Sequence, residues 1–441
     1  MGIQDFPAAL QPIIQQGFLE REFQTGLRSR LGYLDICDEE EFQVNVGETI
    51  TKTRTGLKAP VETPLAPTTN TNLDNGLTPS GWTVEQYTLT LNMYGDTQDL
   101  NMVTQAVGIK NQFATNASVN GAQAAQSLDR LARNALFSGY MTGNTSVRVT
   151  LGAPGIAVSV DDVRGFQSVF NAEGQQVPVS AANPLPVLIN GNLYDLVAVA
   201  ADAVNASITP KGISGTLTFS GNVAVADGTA GNAVVHLYAP TVLRPNNRAT
   251  TGALQATDLL TLSLLREGVT QLRNNAVPTV RGRYNCYLDN TAANQLFQDQ
   301  EFQLLFRGTG ESSKAYATAD VVEILDLRLI RTTEAYQQKI GGVAVHRPIL
   351  VGQGALVRGN FAATGYSDIV KSDDDLMKIV DGVAMVTREP LDRLRQIIAQ
   401  SWYWIGAFGL PTDVTANQTI IPTASQSYFK RGVMLEVGGA N

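Results

Sequence analysis

The chain has 441 residues, too many for one ordinary hydrophobic core, so two or three domains are expected. Only 16% of the residues are charged, the net charge is −8 and Lys and Arg form no basic run, which disfavours tight nonspecific binding to nucleic-acid phosphates. No apolar run approaches the ~18 residues of a membrane-spanning helix, and the first residues lack the basic start and apolar core of a secretory signal.

The N-terminal part predicts two strands separated by a long loop. Apolar and polar residues alternate over 42–46 and again over 87–93, which is typical of strands with one buried face. The stretch 47–81 between them contains four prolines and many Thr and Asn, so it can bury little of itself. It is predicted to project as an arm over residues 48–81, ordered by a neighbouring subunit.

The arm and the residue that follows it carry four candidate inter-subunit contacts: Lys52, Arg54, Lys58 and Trp82. The three cations stand on a neutral loop of an acidic chain, so they could dock onto acidic residues of an adjacent copy or act only as solubilising groups. The densest acidic cluster, within 35–41, is expected to be a solvated turn, with an electrostatic docking patch as the alternative.

A long helix is predicted after the second strand. Asp96 or Thr97 could cap its start, and apolar residues recur at helical spacing over 123–140. Gly108 and Gly121 leave open whether this is one kinked helix or two. If continuous, the helix would span about 65 Å.

The segment 151–243 differs from both flanks, because it has about half the charge density of the rest of the chain. It contains short β-type runs separated by turn signals such as Asn190-Gly191. This spacing predicts a small antiparallel sandwich or barrel.

The remainder predicts a mixed α/β region. Thr257 or Asp258 could cap a helix, a strand follows at 283–288, and Asp289 or Asn290 could begin a second helix. Near the C-terminus, 401–408 is a dense apolar and aromatic strand whose Trp side chains are expected in a core or a subunit interface.

No arrangement of residues indicates catalysis or a cofactor. His236 and His346 are the only histidines, and neither has a carboxylate or cysteine at metal-ligand spacing in the sequence. Cys37 and Cys286 are far apart, and no nucleophile elbow or phosphate-binding loop occurs. We therefore expect no cofactor, no metal and no enzymatic activity.

The order of these parts resembles the major capsid proteins of tailed phages, the Hong Kong 97-like fold. Val277-Pro278 leads into Tyr-Asn-Cys-Tyr-Leu-Asp at 284–289, a helix at 294–306 and the strands of 321–333, which is similar to the axial domain of that family. Gln400-Ser401-Trp402 with the segment 406–411 is similar to the closing strand of its peripheral domain.

The resemblance implies an α+β fold with an extended loop, a long spine helix, axial and peripheral domains and an inserted all-β domain. Its expected divisions are an N-terminal arm and short helix at 1–41, the extended loop with its flanking strands at 42–95, the spine helix and peripheral domain at 96–150, an inserted β-rich accessory domain at 151–243, a mainly axial α/β domain at 244–380, and the closing strands at 381–441.

The resemblance also implies partners. Many copies would form pentamers and hexamers of an icosahedral head, assembled in the bacterial cytoplasm with a separate scaffolding protein and a portal protein. The head would enclose double-stranded DNA without sequence-specific binding, and it could carry a decoration protein. The alternatives are a tail or baseplate component, or a β-rich surface protein.

Overall fold

A computed structural model describes residues 21, 23–24, 32–42, 49–57, 62, 84–101, 112–171, 174–202, 212–305, 323–361, 377–388, 397–415, 418–419 and 425–439. The α-helices with described bounds are α1 Gln112–Tyr140, α2 Leu262–Asn274, α3 Asn290–Gln298 and α4 Gln300–Leu305. The strands, numbered in chain order, are β1 Cys37–Phe42, β2 Thr49–Thr55, β3 Val84–Thr90, β4 Asn92–Asn101, β5 Asn144–Ser146, β6 Gly155–Val160, β7 Ser168–Phe170, β8 Gln176–Pro178, β9 Leu185–Ile189, β10 Asn192–Ala201, β11 Gly215–Val223, β12 Ala233–His236, β13 Val242–Leu243, β14 Tyr284–Leu288, β15 Glu323–Ile324, β16 Leu327–Arg331, β17 Gln337–Ile340, β18 Val343–His346, β19 Ile349–Val351, β20 Leu356–Phe361, β21 Met377–Val380, β22 Val383–Arg388, β23 Ile397–Gly409, β24 Val414–Thr415, β25 Gln418–Thr419, β26 Gly432–Leu435 and β27 Val437–Gly439.

Strands β2 and β3 form an antiparallel hairpin, the arm hairpin, in which Thr49 lies opposite Thr90 and Thr55 opposite Val84. The sequence predicted that residues 42–46 form the strand before the loop. In the structure, the strand that pairs with β3 is Thr49–Thr55, which lies within the predicted loop. The β-branched residues of this run favour the extended backbone. Most of the predicted loop lies outside the described residues.

The first body sheet has the strand order β1-β20-β23-β22-β21, and β4 also pairs with β23. The acidic residues Asp38–Glu41 lie in β1, parallel to β20, so the predicted solvated turn is wrong. The helix start predicted at Asp96 or Thr97 is also wrong, because both residues lie in β4 opposite Trp402 and Ser401. Gly95 permits this pairing, since a Cβ there would lie 2.6 Å from the carbonyl oxygen of Trp402.

Helix α1 lies against this sheet and carries the predicted apolar stripe. Ala124, Leu128, Ala132 and Leu136 recur at helical spacing and are buried. The helix has 29 residues, so it spans about 43 Å rather than 65 Å. Gly121 lies within it. The expectation that Trp402 and Trp404 lie in a core is confirmed, because both are buried against α1 and the sheet.

The second body sheet has the order β13-β26-β19-β14-β16-β15 and buries one core with helices α2, α3 and α4. Thr261, not Thr257 or Asp258, caps α2: its hydroxyl accepts from the backbone N–H of Leu264. Asp258 instead accepts from the backbone of Gln255. Asp289 caps α3 as predicted. We call the two body sheets, their helices and the small β17-β18-β27 sheet the body.

The segment with low charge density forms a small barrel. Six antiparallel strands follow the order β5-β12-β9-β10-β11-β6. A bridge from Val147 to Val160 joins the two ends of this sheet, so it closes on itself. Asn190 and Gly191, with φ of 51° and 89°, make the predicted tight turn between β9 and β10. The sheet begins at Asn144, before the predicted boundary at 151, and β13 already belongs to the body.

Candidate assembly surface

The arm hairpin carries two of the four predicted contact residues; Lys58 and Trp82 lie outside the described residues. Lys52 donates through Nζ to Glu40 Oε2 at 2.9 Å. Arg54 donates through Nη2 to the carbonyl oxygen of Gly354 at 2.9 Å and lies 3.4 Å from Asp413 Oδ1. Both cations therefore meet carboxylates of their own chain. Their pairing with a neighbouring subunit stays a prediction.

The base of the arm hairpin is fixed to the body by a buried charge network. Asp413 is fully buried and receives two hydrogen bonds of 2.8 Å from the guanidinium of Arg431. Glu85, on β3, accepts from the backbone N–H of Asp413 at 2.8 Å and from the backbone and hydroxyl of Thr412. Burial and the nearby Asp413 raise the pKa of Glu85. The arm hairpin is thus anchored at its root.

Sequence reasoning missed this network because its members are far apart in the chain. Glu85 and Asp413 stand 328 positions apart, and neither belongs to a recognisable motif. Asp413 has a positive φ of 59° in the fold, a conformation that Asp adopts more readily than most residues, but the sequence does not reveal it. Only the fold brings Asp413 to the arm.

A second set of contacts fixes α1 to the rest of the body. Asp129 accepts from the backbone N–H groups of Gly32 and Tyr33, at 2.9 and 2.6 Å. Arg130 and Arg133 both pair with Glu334, at 2.9 and 3.2 Å. The helix is therefore tied to the segment before β1 and to the segment before β17.

The barrel meets the body along an aromatic seam, formed by Phe170, His236, Tyr238 and Tyr428. Tyr428 of the body stacks on Tyr238 with ring centroids 4.5 Å apart, and Phe170 meets it edge-on at 4.8 Å. His236 lies 6.1 Å from the same ring, and its burial lowers its pKa to about 3. A neutral imidazole suits this packing role.

His346 has a carboxylate partner in the fold that is distant from it in the sequence. Its Nδ1 lies 2.8 Å from Asp289 Oδ2, and both side chains are buried. The sequence does not show this pair, because Asp289 and His346 are far apart in the chain and only the fold brings them together. Burial tends to raise the pKa of Asp289, but His346 and the backbone of α3 outweigh burial, so the pKa is lowered. One carboxylate thus both caps α3 and holds β18.

The described residues contain no group of three His, Cys, Asp or Glu side chains suited to a metal ion. Within the same residues, no helix is both long and apolar enough to cross a membrane. The described features are an arm hairpin anchored at its root, a long helix and a barrel seated on the body.

The fold formed by these parts is that of a phage capsid protein. The chain is similar to the structure described as the capsid of Ralstonia phage GP4, with 9% identity, a TM-score of 0.52, and coverage of 94% of this chain and 93% of that one. Its similarity to the capsid of Cyanophage P-SCSP1u has 10% identity and a TM-score of 0.48, over 94% and 90% of the two chains. The capsid of Cyanophage Pam1 is similar to the chain with 12% identity and a TM-score of 0.47, over 92% of this chain and 89% of that one.

Of these three structures, the GP4 capsid has a TM-score above 0.5. No family model matches the sequence, and no curated protein matches it. The resemblance to phage capsid proteins that the sequence indicated is confirmed at the level of the fold.

Proposed function

We propose that this chain is the major capsid protein of a tailed double-stranded DNA phage. The observation that carries the proposal is the fold shared with the Ralstonia phage GP4 capsid over nearly the whole length of both chains. Copies would assemble into pentamers and hexamers of an icosahedral head. Closed symmetric assembly of one chain needs surfaces held in fixed relative positions, and the anchored arm hairpin and α1 meet that need.

The Hong Kong 97-like parts correspond to observed elements in this proposal. The arm hairpin is the root of the extended loop, and α1 is the spine helix. The first body sheet is the peripheral domain, and the second body sheet with α2–α4 is the axial domain. The barrel is an inserted accessory domain on the outer surface.

Residues Lys52, Arg54, Lys58 and Trp82 are the proposed inter-subunit contacts, and Lys52 and Arg54 also bind carboxylates of their own chain at the root of the arm. The proposed partners are further copies of the chain, a scaffolding protein, a portal protein, a decoration protein and packaged DNA bound without sequence preference. The net charge of −8 supports weak contact with DNA. Assembly would take place in the bacterial cytoplasm, and the role would be structural rather than enzymatic.

The test is electron microscopy of the full chain co-expressed with its scaffolding protein. Closed rounded shells containing pentamers and hexamers are expected. Straight tubes or isolated rings would contradict the proposal and favour a tail or baseplate component. The control variant replaces residues 58–83 by a short Gly-Ser linker. It should remain folded and soluble by circular dichroism but fail to close shells, which separates assembly from folding.

A further inference from the structure

A polar cleft of about 480 Å³ lies between the barrel and the body. The barrel wall includes Arg148 and Asp161, and the body wall includes Arg244, Arg347 and Glu436. The cleft contains no part of the arm hairpin and no part of the aromatic seam. None of its residues was singled out by the sequence.

The body wall holds a buried triad of two arginines and one glutamate. Arg244 Nε donates to Glu436 Oε2 at 2.7 Å, and Arg347 Nε donates to Glu436 Oε1 at 2.9 Å. Thr251 also donates to Oε2, at 2.9 Å. Both carboxylate oxygens of Glu436 are therefore engaged.

Two guanidinium groups share this single carboxylate, so the buried triad carries one excess positive charge. Arg347 Nη2 donates to Gln338 Oε1 at 2.6 Å, but Nη1 is buried and has no acceptor among the described residues. Only 3% of the Arg347 side chain is exposed. A buried cationic donor without an acceptor is unfavourable, and buried charges are normally paired.

The charges on the barrel wall do not supply the missing acceptor. Arg148 pairs with Asp202 at 3.1 Å, and Asp162 pairs with Arg164 at 2.7 Å. Asp161 accepts from the hydroxyl of Ser146 at 2.6 Å. Asp161 is the carboxylate of this wall that would compete with an added anion.

We propose that the cleft between barrel and body binds one oxyanion, a phosphate or a carboxylate, on Arg347. A guanidinium is well suited to either group, because its planar donors match a pair of oxygens. The anion would neutralise the excess positive charge of the triad where Arg347 lines the cleft. A free phosphate and an acidic side chain of another chain offer the same chemistry.

The test uses the full chain as a soluble subunit and the phosphorus-31 line width of inorganic phosphate, at ionic strength held constant with chloride. Saturable broadening is expected, and Arg347→Gln should weaken phosphate binding by at least about tenfold. Arg283→Gln is the control, because Arg283 pairs with Glu323 and does not line the cleft. Acetate is then added: displacement of phosphate identifies a site that also accepts carboxylates, and no displacement identifies a phosphate site.

Two further variants keep the test decisive if Arg347→Gln does not fold. Asp161→Asn removes the competing carboxylate and should tighten phosphate binding, whereas Arg148→Gln removes a cation from the opposite wall and should weaken it. The proposal is overturned if phosphate does not broaden with the wild-type chain, or if the variants of the cleft all bind phosphate as the Arg283→Gln control does.

Discussion

The buried carboxylate of Glu436 stabilises the folded protein when it is ionised, because two arginines pair with it. Burial alone would raise its pKa, but Arg244 and Arg347 outweigh burial and lower the pKa to about 2. The ordinary pKa of a glutamate is about 4.3. The folded state therefore favours the ionised form. This stabilisation is present above the ordinary pKa and is lost as the pH falls toward 2.

We expect Glu436→Gln to lower the free energy of unfolding at pH 7 by about 3 kcal/mol, because it leaves two buried guanidiniums without a counter-charge. The difference from the wild type should shrink as the pH falls from about 4.5 to about 2. Urea unfolding at several pH values measures this. The control is Glu301→Gln, whose exposed pair with Arg266 at 3.5 Å should matter little. A difference that does not change with pH would contradict the assignment.

At the scale of elements, the sequence predicted those features that depend on residues close together in the chain. The strands of the barrel, the cap of α3 at Asp289 and the stripe of α1 follow from alternation, capping and helical spacing. The start of α1 could not be predicted, because Asp96 and Thr97 resemble helix caps, and their pairing with β23 joins residues about 300 positions apart. The acidic strand β1 was missed for the same reason: β20 supplies its backbone partner.

The pairing of β4 with β23 gives a prediction at Gly95. An added Cβ would lie 2.6 Å from the carbonyl oxygen of Trp402, so Gly95→Ala must displace backbone and should cost about 1–3 kcal/mol. Gly221→Ala is the matched control, because no atom lies within 4 Å of its added Cβ. Thermal unfolding of the two variants compares them. Equal melting temperatures would show that β4 can move at no cost.

The root of the arm hairpin gives another prediction. We expect Arg54→Gln to speed amide hydrogen exchange in β2, because it removes the bond to the carbonyl of Gly354 and a contact with buried Asp413. Lys52→Gln should have a smaller effect, since the pair of Lys52 with Glu40 is more exposed. Hydrogen exchange with mass spectrometry measures both. An equal effect of the two variants would argue against the buried network as the anchor.

At the scale of the whole molecule, the order of the parts was predictable but their junctions were not. The low charge density of 151–243 indicated a separate module, and a closed barrel is found there. Its true start at Asn144 carries no compositional signal, because β5 is three polar residues, Asn-Thr-Ser, directly after α1 and its turn. The aromatic seam likewise joins residues of distant segments, so the sequence could not reveal it.

We expect the body to fold without the barrel. The two ends of the barrel segment lie close together, since Asn144 donates to the carbonyl of Pro240 at 3.4 Å. A variant that joins Thr142 to Thr241 through two glycines, and carries Tyr428→Ser to avoid exposing the seam, should be soluble and melt cooperatively. Residues 143–240 alone should show a β-type circular dichroism spectrum. If neither piece folds, barrel and body form one cooperative unit.

The closure of the barrel reduces the tendency of this domain to aggregate through exposed strand edges. A strand at the edge of a sheet offers unpaired N–H and C=O groups to any other chain, and this is a common route to aggregation. The bridge from Val147 to Val160 joins the two strands that would otherwise be such edges. In the proposed shell, neighbouring copies could then pack closely without these two strands acting as a template for misassembly.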